Sequence, residues 1–224
     1  MLFRSLLLFA RRMDKLEKLS HELNEKYKCK ILVTRMDVTK RHEVKNIIGN
    51  LPKEWQDIDV LINNAGIIQP FVKINDLTFE QAEKVMNVNF YGPFAMIKAF
   101  LPGLITRPAA HILNVSSMGA YAPVPGQSVY GASKAAVKLL TEGLRSELLG
   151  TNVGVTVVFP GAVATNISTN SGLAMPANAD AQNSQFKSLP APIAAKKMID
   201  AIERGKPRIT IGRDAKTKIG RAHV

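Results

Sequence analysis

Residues 58–66 read IDVLINNAG, a short apolar run that breaks off into two asparagines, an alanine and a glycine. A β-branched-rich run of that length, bounded by turn formers, reads as a strand buried on both faces. The same grammar repeats outward. Upstream, Leu6–Ala10 and Ile31–Met36 are apolar; downstream, His111–Val115 ends at Ser116-Ser117, and Val153–Phe159 ends at Pro160-Gly161. A strand near 207–211 closes the series. The stretches between are helical: Met13, Leu16, Leu19 and Leu23 recur at the spacing of one helix face. Further helices are expected over about 40–51, 128–149 and 191–204. Thr78 followed by Gln81 is a capping box that opens a longer helix, which Pro93 and Pro102 should bend or interrupt. Nearly continuous apolar strands alternating with helices argue an α/β fold: one domain with a doubly wound parallel sheet. Ligands of such sheets sit beyond the carboxyl ends of the strands.

Composition removes other classes. With 46% hydrophobic and 21% charged residues, the 224-residue chain is neither disordered nor of low complexity. No uninterrupted apolar run approaches the roughly 20 residues of a membrane span, so none is expected. The Leu6–Phe9 run is too short for a signal peptide and lacks a small-residue cleavage site. The single cysteine, Cys29, forms no internal disulfide, which points to a reducing, cytoplasmic setting. A net charge of +12 fits a nucleic-acid partner, a membrane surface or simply a basic protein. Lysines and arginines are interleaved with acids except over 206–218, and no basic run carries interleaved aromatics, so no nucleic-acid partner is expected. His21, His42 and His111 lack metal-ligand spacing, and no metal is expected.

Small and polar residues gather where the strands end. Tyr130 and Lys134 lie four apart and so share a helix face. A phenol with a pKa near ~10 is a poor proton donor or acceptor at neutral pH, and a nearby ammonium pulls that value toward the working range. Ser117 could then orient a substrate oxygen against the phenol. That set is a proton relay for moving a hydride on or off a carbonyl carbon. Alone, a Y-x-x-x-K pair is more often solvated surface. The Asn/Ser/Ala/Pro-rich segment 165–190 reads as a functional lid or a disordered stretch; as a lid it would cover the substrate side, with Leu173, Met175 and Pro176 as apolar contacts.

Five motifs in order, Asn63-Asn-Ala-Gly66, Asn87-Val-Asn89-Phe-Tyr-Gly92, Asn114-Val-Ser-Ser117, Tyr130-x-x-x-Lys134 and Pro160-Gly161-x-x-x-Thr165, resemble the short-chain dehydrogenase/reductase family. The resemblance runs from about Leu6 to Lys218. It implies a Rossmann-like fold and an NAD(P)-dependent oxidoreductase acting on an alcohol or carbonyl substrate. Tyr130 would be the acid or base, Lys134 would lower its pKa and hold the nicotinamide ribose, and Ser117 would polarise the substrate oxygen. Asn89 would hold a water linking Lys134 to solvent. Asp37 and Val38 would contact adenine, and Asn64, Ala65 and Gly66 would line the cofactor. Pro160, Gly161, Val163 and Thr165 would touch the nicotinamide. Arg11 and Arg12 follow the first strand where an acidic residue would favour NAD(H), so NADP(H) is expected; the alternative is an exposed helix-start pair. Relatives of this kind form dimers or tetramers through helices that correspond to 79–105 and 128–149, so a homo-oligomer is expected.

The chain also departs from the pattern. The family begins one β-α unit earlier, with T-G-x-x-x-G-x-G cradling the pyrophosphate at a helix N-terminus, whereas the first glycine here is Gly49. The missing strand would lie mid-sheet and leave backbone groups unpaired on both sides. The chain is therefore expected to bind dinucleotide poorly, and a non-catalytic dinucleotide-fold scaffold is the alternative function. Met1–Ser5 can be encoded by a string ending CTCTTCCGATCT, and Ile219–Val224 by one opening ATCGGAAGAGCACACGTC. These resemble common sequencing adapters. Residues 1–5 and 219–224 are accordingly read as an adapter artefact flanking a truncated domain over 6–218.

Overall fold

Each apolar run forms a strand close to its expected bounds in the computed structural model, which describes residues 5–173 and 188–221. Along the chain run β1 (Ser5–Ala10), α1 (Met13–Tyr27), β2 (Lys30–Arg35), α2 (Arg41–Lys45), α3 (Ile47–Asn50) and β3 (Val60–Asn63). Then follow α4 (Phe79–Met86), α5 (Gly92–Thr106), β4 (Ala110–Val115), α6 (Ser128–Glu147) and β5 (Val153–Pro160). The last part holds β6 (Val163–Ala164), α7 (Ile167–Asn170), β7 (Leu189–Pro190), α8 (Ala191–Glu203), β8 (Arg208–Ile211) and α9 (Arg213–Arg221). The helix expected over 40–51 is split in two at Asn46. The β6–β7 pair, α7 and α9 carry no sequence signal strong enough to have been anticipated, and α9 runs into the segment set aside as adapter-like.

The main sheet is parallel in the order β3-β4-β5-β8. β1 and β2 pair in parallel as a separate ladder, Leu8 opposite Val33 and Phe9 opposite Thr34. The sheet thus breaks between β1 and β3, where the resemblance puts the absent central strand. One core nevertheless spans the break. Met36 and Val44 from the β2 side pack with Leu61, Ile112 and the α5 residues Met96 and Phe100, and Phe9 meets the Phe100 ring edge-on at 6.2 Å. Burying each such side chain contributes roughly 1.5–3 kcal/mol, so α5 holds the two ladders together across the gap. On the open side Ile62 stays 40% exposed.

The capping box forms as read: Thr78 Oγ1 accepts from the Gln81 amide at 3.2 Å, and Gln81 Oε1 accepts from the Thr78 amide at 3.1 Å. The helix is then interrupted, as the prolines suggested, by a π-helical turn over Asn87–Tyr91. Pro93 is the second residue of α5, directly after the π-helical turn, and Pro102 lies inside the helix. The continuous stretch Phe79–Thr106, 28 residues with mean hydropathy 1.2, is long and apolar enough to pass for a membrane span, contrary to the expectation from uninterrupted runs. Its most apolar window is 44% buried within the protein, and α5 covers β3 and β4 as a core helix.

Candidate active site

Helix α6 begins beyond the carboxyl ends of β3 and β4 and carries Tyr130 and Lys134 on one face. Ser117, just after β4, stands beside the Tyr130 ring: a Cβ on Gly119 would lie 3.4 Å from both Ser117 Oγ and the ring. The Ser117 Oγ accepts from the Gly119 amide at 3.0 Å, which fixes the serine's rotamer. Lys134 is 4% exposed, and its Nζ donates to the Val115 carbonyl at 2.9 Å. A Cβ on Gly66 would come within 3.2 Å of that Nζ, so the glycine is what lets the β3 loop lie against the lysine. The lysine backbone is anchored too, since Ser116 Oγ donates to the Lys134 carbonyl at 2.7 Å.

The electrostatics differ from the sequence expectation. Burial pushes the Tyr130 phenol up, against the lowering effect of the neighbouring Ser117 hydroxyl. Desolvation pulls Lys134 down to about 8. Its ammonium is committed to the Val115 carbonyl and stands 6.0 Å from the phenol's ring centroid, too far to reverse the effect of burial on Tyr130.

Asn89 lies in the π-helical turn, whose wider path turns the side chain inward; such turns recur at functional sites. Fully buried, it accepts from the Ile67 amide at 2.8 Å and donates to the Ile67 carbonyl and to Ser133 Oγ, both at 2.9 Å. The side-chain amide therefore pins the β3 loop to α6. A second buried chain runs beneath: Asn63 donates to Asn114 at 2.8 Å, and Asn114 to Thr141 Oγ1 at 2.9 Å. Asn63 and Asn114 are register partners on adjacent strands.

The other expected residues lie along the same edge. Arg11 and Arg12 are exposed after β1, and Arg12 Nη2 donates to Asn170 Oδ1 on α7 at 2.9 Å. Asp37 is half-buried; partial burial alone would raise its pKa, but hydrogen bonds from Thr39 and the Arg11 and Lys40 charges hold it below the usual carboxylate value. Val38 packs against the start of α5 at Gly92. Asn64, Ala65 and Thr165 are exposed, while Val163 is half-buried and pairs with Leu189. Met175 and Pro176 lie outside the described residues. Among the described residues, no group of three His, Cys, Asp or Glu side chains could hold a metal.

Two residues escaped the sequence reading. Asp214 is 6% exposed, its Oδ2 accepts from the Ala162 amide at 2.6 Å, and its carboxylate occupies the space a Cβ on Gly161 would need. It thereby props the Pro160–Gly161 turn from α9. Gln69 Oε1 accepts from the Tyr130 amide at 2.8 Å. The acid at the start of a C-terminal helix and the glutamine in a loop gave no local sign of either role.

A nicotinamide dinucleotide fits the donor set at both ends. Two guanidinium groups stand at one end of the strand edge, and a phenol, a hydroxyl and an ammonium stand at the other. No described residue supplies a glycine-rich cradle for the pyrophosphate between them.

The sequence profile of the family described as short chain dehydrogenase matches residues 4–175. The chain is 37% identical over 163 residues to an NADP-dependent 3-hydroxy acid dehydrogenase of Schizosaccharomyces pombe, covering 73% of this chain and 63% of that protein. It is also 37% identical over 154 residues to the NADP-dependent 3-hydroxy acid dehydrogenase YdfG of Salmonella typhi, covering 69% and 60%. The matched region thus spans less than two thirds of these relatives. Among solved structures, serine dehydrogenase complexed with NADP+ superposes with a TM-score of 0.78 at 28% identity, over 93% of this chain and 84% of that one. A short-chain dehydrogenase from Sphingobium yanoikuyae in complex with NADPH gives 0.79 at 25% identity, over 92% and 77%.

Proposed function

The chain belongs to the short-chain dehydrogenase family, and from that premise we propose that it is built for NADP(H)-dependent interconversion of an alcohol and a carbonyl compound. The observation that carries the reading is the convergence of Ser117, Tyr130 and Lys134 at the ends of β3 and β4. When bound, the dinucleotide supplies or accepts the hydride. In the reducing direction the Tyr130 hydroxyl gives its proton to the carbonyl oxygen, and the Ser117 hydroxyl holds that oxygen in place. In the oxidising direction Tyr130 takes the proton back. Lys134 holds the nicotinamide ribose and assists proton exchange at the phenol. Since the Asn89 side chain is committed to Ile67 and Ser133, a relay water to solvent would meet its backbone.

Pro160, Gly161, Val163 and Thr165 would receive the nicotinamide, Asn64–Gly66 the middle of the cofactor, and Asp37 and Val38 the adenine. Arg11 and Arg12 offer paired guanidinium donors to a 2′-phosphate, which favours NADP(H) over NAD(H). The NADP-dependent relatives support the same preference, and their names make 3-hydroxy acids the first substrates to assay. The exposed apolar residues Phe79, Leu139 and Leu149 on α4, on α6 and just past its end support a homo-oligomer. The lone buried Cys29 supports a cytoplasmic setting. A second reading, a non-catalytic scaffold, is favoured by the break between β1 and β3, and on either reading the 224-residue chain alone binds dinucleotide weakly.

The test is turnover by a chain extended ahead of Leu6 with a strand, glycine-rich loop and helix from a relative. NADPH should be preferred over NADH, and Tyr130→Phe should lower turnover on the order of 10²–10⁴-fold. Full activity without the phenol refutes its role; an NADH preference refutes that of the arginines.

A further inference from the structure

A helix leaves its first amides without intrahelical partners, and a polar side chain at the residue before it normally accepts from the second or third of them. At α6 this fails locally, because Gln127 precedes the helix and its side chain makes no cap. Instead Gln127 Nε2 donates to the Gln69 carbonyl at 2.8 Å. The cap comes from Gln69, 61 residues earlier, whose Oε1 accepts from the amide of Tyr130, third residue of the helix. Both glutamines are buried, at 1% and 3% exposure. The backbones close in behind them: a Cβ on Gly126, itself at φ +78°, would come within 3.3 Å of the Phe71–Val72 peptide. Gln69 Nε2 and Gln127 Oε1 are buried without a partner among the described residues, an arrangement that costs free energy.

We propose that Gln69 is a positioning residue for Tyr130, capping α6 from the β3 loop and fixing its first turn so that the phenol meets Ser117 and a substrate oxygen together. The proposal rests on the reading of Tyr130 as the acid or base. It adds that the loop beyond the Asn-Asn-Ala-Gly motif sets where that group stands. An acceptor at this one atom is what matters, so a carboxylate should replace the amide and an apolar side chain of similar size should not.

Amide hydrogen exchange on the chain as it stands, with Gln69→Leu and Gln69→Glu, reads the cap without any turnover. Gln69→Leu should speed exchange at the Tyr130 amide about fivefold, the loss of one cap, and Gln69→Glu should restore protection. In the extended, active form Gln69→Leu should lower kcat about tenfold while KM for NADPH stays within about twofold, again with rescue by Gln69→Glu. Unchanged exchange in Gln69→Leu overturns the proposal, as does a Gln69→Glu variant as defective as Gln69→Leu. Should Gln69→Leu fail to fold, protection at Tyr130 in Gln69→Glu decides: kept, it supports the acceptor role; lost, it overturns it. Absence of hydride transfer in the unsubstituted extended chain would refute the enzymatic reading, and the exchange result would still decide the cap.

Discussion

Around β3, β4 and α6 buried polar side chains are paired: Asn63 with Asn114, Asn114 with Thr141, and Asn89 with Ser133 and the Ile67 backbone. Around β1 and β2 the ladder stops at two strands, the Leu6–Ala10 run is only half-buried, and Arg11 and Arg12 face solvent. Both regions lie on one core, yet one is closed and the other open. The difference separates two tasks. The residues assigned to proton transfer sit in the half whose sheet is continuous, whereas those assigned to the adenosine end sit on a ladder that needs another strand to be complete. An isolated pair of strands is marginal in water, and here α1 and the shared α5 face support it.

The largest expected consequence is a difference in local stability. Amides of β4 and β5 should exchange only through global unfolding, while those of β1 and β2 should exchange on the order of 10³-fold faster, about 4 kcal/mol less protected. Hydrogen exchange read residue by residue checks this. Equal protection would make the molecule one cooperative unit and erase the contrast.

The next effect lies inside the closed half and depends on pH. Lys134 ionises at about 8 in the folded chain against an ordinary 10.5, so between those values the unfolded chain holds a proton that the folded one has shed. Stability should therefore rise with pH across that window, by up to about 3 kcal/mol, because burying the ammonium is a cost that disappears once it is neutral. The raised Tyr130 phenol acts in the opposite direction only above its ordinary value of 10.0. Comparing denaturant unfolding of the unsubstituted chain and Lys134→Met between pH 8 and 10 isolates the lysine. Parallel profiles would mean that Nζ is better solvated than its 4% exposure implies.

The closed half was also the more legible one. Its strands are continuous apolar runs, its motifs stand at strand ends, and the resemblance those motifs carry together is what assigned Ser117, Tyr130 and Lys134 to one edge. Asn89 was placed by resemblance, but the π-helical turn that aims it has no local signature. The phenol's raised pKa was missed because the sequence shows the neighbouring charge and not the burial that outweighs it. Gln69 and Asp214 act on amides 61 and 52 residues away, and nothing in their own neighbourhood announces such partners. In the open half the two strands and the arginines were readable. The split of the 40–51 helix at Asn46 was not, since its apolar spacing continues across the join.

Two asparagines give the finest test of the contrast. Asn114 sits in the closed half, fully buried, and truncation to alanine strands the Asn63 amide and a lone pair of Thr141 Oγ1 away from water. A loss of about 2 kcal/mol is expected, because a buried donor left without its acceptor loses its solvation with no return. Asn170 belongs to the open side, where its Oδ1 accepts from Arg12 at 2.9 Å with both residues exposed. There water takes over the guanidinium as soon as the amide is removed, so Asn170→Ala should change stability by less than about 0.5 kcal/mol. The two variants delete the same chemical group, so unfolding midpoints in urea compare them directly. If Asn170→Ala costs as much as Asn114→Ala, then α7 holds the β1 side in place, and the open half is tied down by the loop that crosses it.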